Sequence, residues 1–160
     1  MINLSNKAAK KFGIKWGDLE ERSGDFWKVD ILMVDRVPVL LIIHEYTLFT
    51  LCRRKSQFHD MSPIATEIVD SCPWYATKAL SVGKNGDPRL TGSINEIKRL
   101  TTGLFSRNQL NALEIAINTS LFSYLSPKRG NYSTPFEAVE CYKKGQINWL
   151  CRDRGAPPTP

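Results

Sequence analysis

The sequence predicts a single α+β domain, in which an antiparallel β-meander packs against helices drawn mostly from the C-terminal third. Two observations carry that expectation. Residues 25–55, DFWKVDILMVDRVPVLLIIHEYTLFTLCRRK, divide into three strand-like runs joined by short turns. The last third holds three Ser/Thr-x-x-Glu/Gln capping boxes ahead of apolar periodic runs. A chain of 160 residues with 42% apolar content is long enough for one real core. The domain is expected over residues 1–150, with 151–160 as a mobile, proline-rich tail.

The elements follow in order. Residues 2–4 predict a short first strand, and Ser5 caps a helix to Phe12 that Gly13 closes in a left-handed conformation. Residues 16–24 are polar and acidic and read as a loop. In the first long strand Trp27, Val29, Ile31 and Met33 share one face while Lys28 and Asp30 take the other. Asp35-Arg36 makes a tight turn, and Pro38 starts the next strand where a missing N–H costs least. Residues 39–43 are apolar on both faces, which predicts a central strand covered twice. Residues 46–52 predict a third strand, rich in β-branched and aromatic side chains, that Arg53, Arg54 and Lys55 end in solvent.

Ser62-Pro63 opens a helix to about residue 71, with Ile64 and Ile68 at helical spacing. Residues 78–82 and 89–91 would pair as a hairpin around Asn85-Gly86. The capping boxes Ser93/Glu96, Ser106/Gln109 and Thr134/Glu137 predict helices over 94–101, 107–125 and 135–144. Leu110, Leu113, Ile117, Leu121 and Tyr124 form the apolar stripe of the middle one. Ser126-Pro127 and Gly145 stop the last two helices, and Ile147, Trp149 and Leu150 would dock back on the core.

Composition narrows the class of function. The longest apolar run, residues 37–43, is too short to span a bilayer, so no membrane partner is expected. The first seventeen residues carry lysines but no apolar h-region and no cleavage site, which predicts a cytoplasmic location. Cys52, Cys72, Cys141 and Cys151 match no C-x-x-C spacing and are expected to be reduced thiols. The formal charge is +6; residues 1–35 balance six basic against six acidic side chains, and residues 36–160 hold sixteen against ten. That excess favours a nucleic acid, a nucleoprotein or an acidic protein surface as partner, or simply makes a mildly basic exterior.

No motif predicts catalysis or a cofactor. There is no G-x-S-x-G, no G-x-G-x-x-G and no P-loop lysine. His44, Cys52, His59 and Asp60 lack the close ligand pair of a structural zinc site. His44 lies beside Glu45, but neighbours on a strand point to opposite faces, so His44 reads as structural. Trp16 and the segment 24–27 read as core, or as a groove rim with Asp25 polar among aromatics.

The basic clusters Arg53-Arg54-Lys55, Lys98-Arg99 and Lys128-Arg129 are candidate phosphate contacts, with Trp74, Tyr75 or Tyr132 available for stacking. The competing expectation places the aromatics in the core and the clusters on separate faces.

A short basic opening helix, Gly24-Asp25-Phe26-Trp27 leading into a strand, a second strand ending near Glu45-Tyr46-Thr47-Leu48, and Arg89-Leu90-Thr91-Gly92-Ser93-Ile94-Asn95-Glu96 opening a helix form a pattern over residues 1–100. It resembles a family of small bacterial and phage domains with no assigned activity, whose final segment has one residue more between the arginine and the glycine. The resemblance implies an α+β fold and nominates Asp25, Trp27, Thr47, Arg89, Ser93 and Asn95. Trp27, Ser93 and Thr47 also have structural explanations. Arg89 and Asn95 are the better functional candidates, with Asn95 at the second position of a helix whose free N–H groups suit an anion.

The expectation is therefore a small, non-enzymatic binding module that engages nucleic acid or a nucleoprotein, phage- or mobile-element-encoded and acting on a host complex. The alternatives are a small enzyme acting on a phosphate-bearing substrate around Arg89, Asn95 and His44, and a structural protein-interaction subunit.

Overall fold

The computed structural model describes residues 1–21, 25–75, 81–84, 87–125 and 133–146. Their core is a five-stranded sheet of order β4-β3-β2-β1-β5. Strands β2 (Trp27–Val34), β3 (Val37–His44) and β4 (Thr50–Arg54) form the antiparallel meander. Strand β1 (Ile2–Leu4) runs parallel to both β2 and β5 (Val82–Lys84), so the sheet is mixed rather than purely antiparallel.

Helices cover both faces. Helices α1 (Asn6–Lys11) and α2 (Ser62–Ser71) bury Ala8, Ile64 and Ile68 against Leu40, Ile42 and Leu51. On the other face α3 (Pro88–Thr101) and α4 (Leu110–Asn118) bring Leu90, Ile94, Leu113 and Ile117 onto Leu41 and Ile43, and α5 (Pro135–Lys143) adds Ala138 there while its Tyr142 packs against the core on the α1 and α2 side. All five residues from Val39 to Ile43 are fully buried, as a strand covered twice requires. Each such side chain contributes on the order of 1.5–3 kcal/mol of transfer free energy.

The β2–β3 turn is made by Asp35 and Arg36, both at positive φ (47° and 62°). Two left-handed residues give the turn the twist a two-residue hairpin needs. The hydrogen-bonding direction along β3 follows from its ends: the His44 N–H donates to Phe49 O and the Glu45 N–H to Phe26 O. Even-numbered residues of β3 therefore face β4 and odd-numbered residues face β2. Pro38 has its nitrogen turned toward β4, but β4 pairs only as far as Val39–Arg54, so the missing donor breaks no ladder bond.

Several sequence expectations shift. The third strand does not start at residue 46. Residues 45–49 form the connection, Leu48 takes φ 53°, and β4 begins at Thr50. Residues 89–91 are helical rather than one arm of a hairpin. Asp87 accepts the Arg89 N–H on its side chain and Pro88 supplies the first-turn residue, so α3 starts there. Ser93 is then no cap, and its hydroxyl donates to Arg89 O one turn back. Helix α4 stops at Asn118 because the hydroxyls of Thr119 and Ser120 donate back to Ile115 and Ala116 carbonyls. The Thr134/Glu137 capping box forms as expected. In the Ser106/Gln109 pair, Gln109 accepts the Ser106 N–H through its side chain, one turn before α4 begins. Lys78, Asn85-Gly86, Lys128, Arg129, Tyr132, residues 147–150 and the tail lie outside the described residues.

Candidate functional site

The cap of α1 builds the most distinctive surface feature. Ser5 follows β1 directly; its N–H donates to Val29 O, and its Oγ accepts the Ala8 N–H. The helix therefore starts at once, and β1 pairs with β2 only from Trp27 to Val29. Strand β2 continues to Val34 against β3, so its second half has no strand on the β1 side. Trp27 N–H and Val29 O both point toward β1, which places the main-chain groups of Ile31 and Met33 on that same open side. The Ile31 N–H is taken by Asp30 Oδ1 at 2.7 Å. Among the described residues nothing takes Ile31 O, Met33 N–H or Met33 O on that side.

This bare half-edge floors a groove of about 680 Å³. Lys7, Lys10 and Lys11 line one wall and Lys98 the other, and the Asp30 carboxylate sits at the floor's edge, bonded to the Ile31 N–H and to Lys98. The first three occupy i, i+3 and i+4 positions of α1, hence one helix face, while Ala8 and Ala9 turn inward. They are exposed and make no ion pair among the described residues. Lys98 reaches Asp30 Oδ2 at 2.7 Å, and Ser5 Oγ donates to Asp30 Oδ1 at 2.6 Å. Met33 is 52% exposed at the groove floor.

The arginines nominated from the sequence face other tasks. On β4, Arg53 donates to Glu67 (2.5 Å) and Glu114 (2.6 Å), and also to Cys52 O and Ser71 Oγ. Burial opposes the Arg53 charge, but the two carboxylates outweigh it and hold the guanidinium above its ordinary pKa. Arg54 donates to Arg107 O and Asn108 Oδ1. Lys55 donates to Phe58 O and sits 4.2 Å over the Phe12 ring. This cluster is thus engaged around the β4 edge, while Lys98 and Arg99 lie on α3 near the opposite side of the meander. Arg89 and Asn95 are exposed on α3, but Asn95 is in the helix interior, not at its second position. Its N–H belongs to the helical ladder, so the anion geometry expected for it is absent.

A second cluster surrounds His44, which is fully buried on the face of α1 and α2. Its Nε2 lies 2.8 Å from Asp25 Oδ1, to which it donates, and its Nδ1 is hydrogen-bonded with Thr47 Oγ1 at 2.9 Å. Tyr142 of α5 donates to Asp25 Oδ2. Burial would raise the Asp25 carboxyl, but hydrogen bonds from His44 and Tyr142 outweigh it and hold it below the usual range. Burial pushes the Tyr142 hydroxyl far up, and the Asp25 charge adds to that. The rings of Trp27, Trp74, Tyr75 and Tyr142 lie 5.0–5.4 Å from the imidazole. Trp27 Nε1 is buried with no acceptor among the described residues.

Thr–His–Asp order resembles a nucleophile relay, yet Thr47 is fully buried and its hydroxyl accepts the Phe49 N–H. A nucleophile needs a route to substrate. The chain of hydrogen bonds instead ties β2, β3, the β3–β4 connection and α5 together. His44 and the pair Arg89/Asn95 lie on opposite faces of the sheet and do not converge. Among the described residues no group of three His, Cys, Asp or Glu side chains is placed to hold a metal ion. No described helix is long and apolar enough to cross a membrane.

Sequence reasoning passed over α1 because it summed charge by region. Asp18, Glu20 and Glu21 cancel Lys7, Lys10 and Lys11 in the count, although those acids lie beyond the helix. The i, i+3, i+4 spacing was the signal that could have found the groove. Comparison with models of protein families, with curated proteins and with solved structures finds no match.

Proposed function

We propose that the protein is a small, non-enzymatic binding module that engages a polyanionic partner, nucleic acid or nucleoprotein, through the groove between α1 and α3. One observation carries this reading: three lysines on one helix face, with no ion pair among the described residues, line a groove whose other wall holds Lys98, itself paired with Asp30. Like charges gathered this way repel one another, which offsets what Lys10 and Lys11 contribute at the C-terminal end of α1. They become favourable when a polyanion releases its counterions on binding. Arg53, Arg54 and Lys55, by contrast, are engaged in hydrogen bonds and ion pairs within the chain.

The test is binding of labelled oligonucleotides and of polyglutamate across a salt series. Wild-type affinity is expected to fall steeply with salt, with a slope of about −0.7 to −0.9 per phosphate contact for nucleic acid. The Lys7→Glu/Lys10→Glu/Lys11→Glu variant is expected to lose at least about tenfold in affinity at low salt. Arg89→Glu, exposed at the far end of α3, should change it less than about threefold. Equal effects of the two variants would remove the groove from the reading.

A further inference from the structure

We propose that the groove takes an extended acidic polypeptide, docked as an added strand against the bare half of β2. This rests on the polyanion reading and names the component of a nucleoprotein that the site fits. Lysines alone would suit nucleic acid equally well, so the discriminating observation is the main chain. Ile31 O, Met33 N–H and Met33 O face the groove with no described partner, in the position where β1 would have continued. A sheet edge with a row of open donors and acceptors is a template for another peptide backbone. A sugar-phosphate backbone has acceptors for one N–H but no amide donors for two carbonyls.

The side chains around the groove point the same way. No aromatic ring lines the described groove, so it offers no platform on which bases could stack. Its floor is Ile31, Leu32 and Met33. Side chains of a docked strand would alternate between the α1 wall and the α3 wall. On the α1 side they meet Lys7, Lys10 and Lys11 and the exposed Met33 thioether. On the α3 side Lys98 is already neutralised by Asp30. The fitting partner therefore carries a carboxylate at every second residue, with apolar or small polar residues between.

The probe is a labelled eight-residue peptide alternating Glu and Val, compared with the same peptide N-methylated at alternate residues in either frame. A docked strand turns only one set of N–H groups toward β2. Binding is expected to fall at least tenfold in one frame and less than threefold in the other. Equal effects in the two frames overturn strand docking. On the protein side, Met33→Pro removes a groove-facing N–H and is expected to lose at least fivefold relative to Met33→Ala. The methylated peptides keep the test decisive if the proline variant does not fold.

A single-stranded oligonucleotide serves as the competing probe. If it binds and no peptide does, strand docking is overturned while the polyanion reading stands. If neither binds at low salt, both fall.

Discussion

The two flanks of the meander solve the same problem in opposite ways. At β4 the outward main-chain groups of Thr50 and Cys52 are all occupied. Asn118 accepts the Thr50 N–H and donates to Thr50 O, Glu114 accepts the Cys52 N–H, and Arg53 donates to Cys52 O. Two side chains one turn apart on α4 thus stand in for a neighbouring strand. At the second half of β2, among the described residues, only the Ile31 N–H is occupied, by the carboxylate of Asp30. An exposed strand edge invites association, and proteins commonly cover it or charge it. Here one edge is covered by helix side chains and the other is left open beneath lysines. The charges over the open edge repel a second copy of this basic chain.

The strongest way to break this contrast is to open the closed edge. Asn118 is 1% exposed, and its amide holds both groups of Thr50. Asn118→Ala strands a buried N–H and a buried C=O, which is expected to cost about 2–4 kcal/mol by chemical denaturation. A loss below about 1 kcal/mol would mean that water replaces the amide and that the edge is not sealed. Arg53→Met ranks next. It leaves Glu67 and Glu114 without their shared cation and Cys52 O without a donor. The side chains involved are 23–28% exposed, so solvent softens the effect to about 1–3 kcal/mol. Charge reversal at Lys7, Lys10 and Lys11 should move stability by less than about 1 kcal/mol per site, because only the C-terminal end of α1 favours the charges of Lys10 and Lys11.

The contrast also explains what could be read from the sequence. The meander was legible because alternation along β2 and the doubly apolar run of β3 are local patterns. Ser5 and Thr134 announced their helices through capping chemistry that acts within four residues, whereas α2 was announced by Pro63 in its first turn, its N-cap being Met61 with no side-chain cap rather than Ser62. The parallel placement of β1 and β5 was not legible, since three-residue strands carry no periodicity and their partners are set by tertiary contacts. The Asp87-Pro88 start of α3 was masked by the Asn85-Gly86 dipeptide, a strong turn signal immediately before it. At the candidate site, the lysine spacing on α1 lies in plain view, but the bare edge beside it does not. That edge exists because Ser5 ends β1 three residues into the strand, a consequence of register rather than composition. The involvement of Arg53 is likewise invisible locally, because Glu67 and Glu114 are 14 and 61 positions away.

The smallest expected effect gives the sharpest comparison, because Met33 and Pro38 sit opposite each other across β2 and β3. Each nitrogen points away from the other strand: Met33 toward the groove, and Pro38 toward the space past the end of β4. Strand β3 overhangs β4 there just as β2 overhangs β1, and a proline leaves that overhang without a donor. Neither nitrogen enters the β2–β3 ladder, so Pro38→Val is expected to change stability by less than about 0.5 kcal/mol. It should also leave binding at the groove unchanged, since it alters the opposite side of the meander. Met33→Pro transfers the proline device to the other overhang, and on the same reasoning its loss of stability stays within about 1 kcal/mol. A loss beyond about 3 kcal/mol, the range of a proline that breaks a ladder, would show that the Met33 N–H is already engaged. That result would make the two flanks alike, with β2 closed as fully as β4.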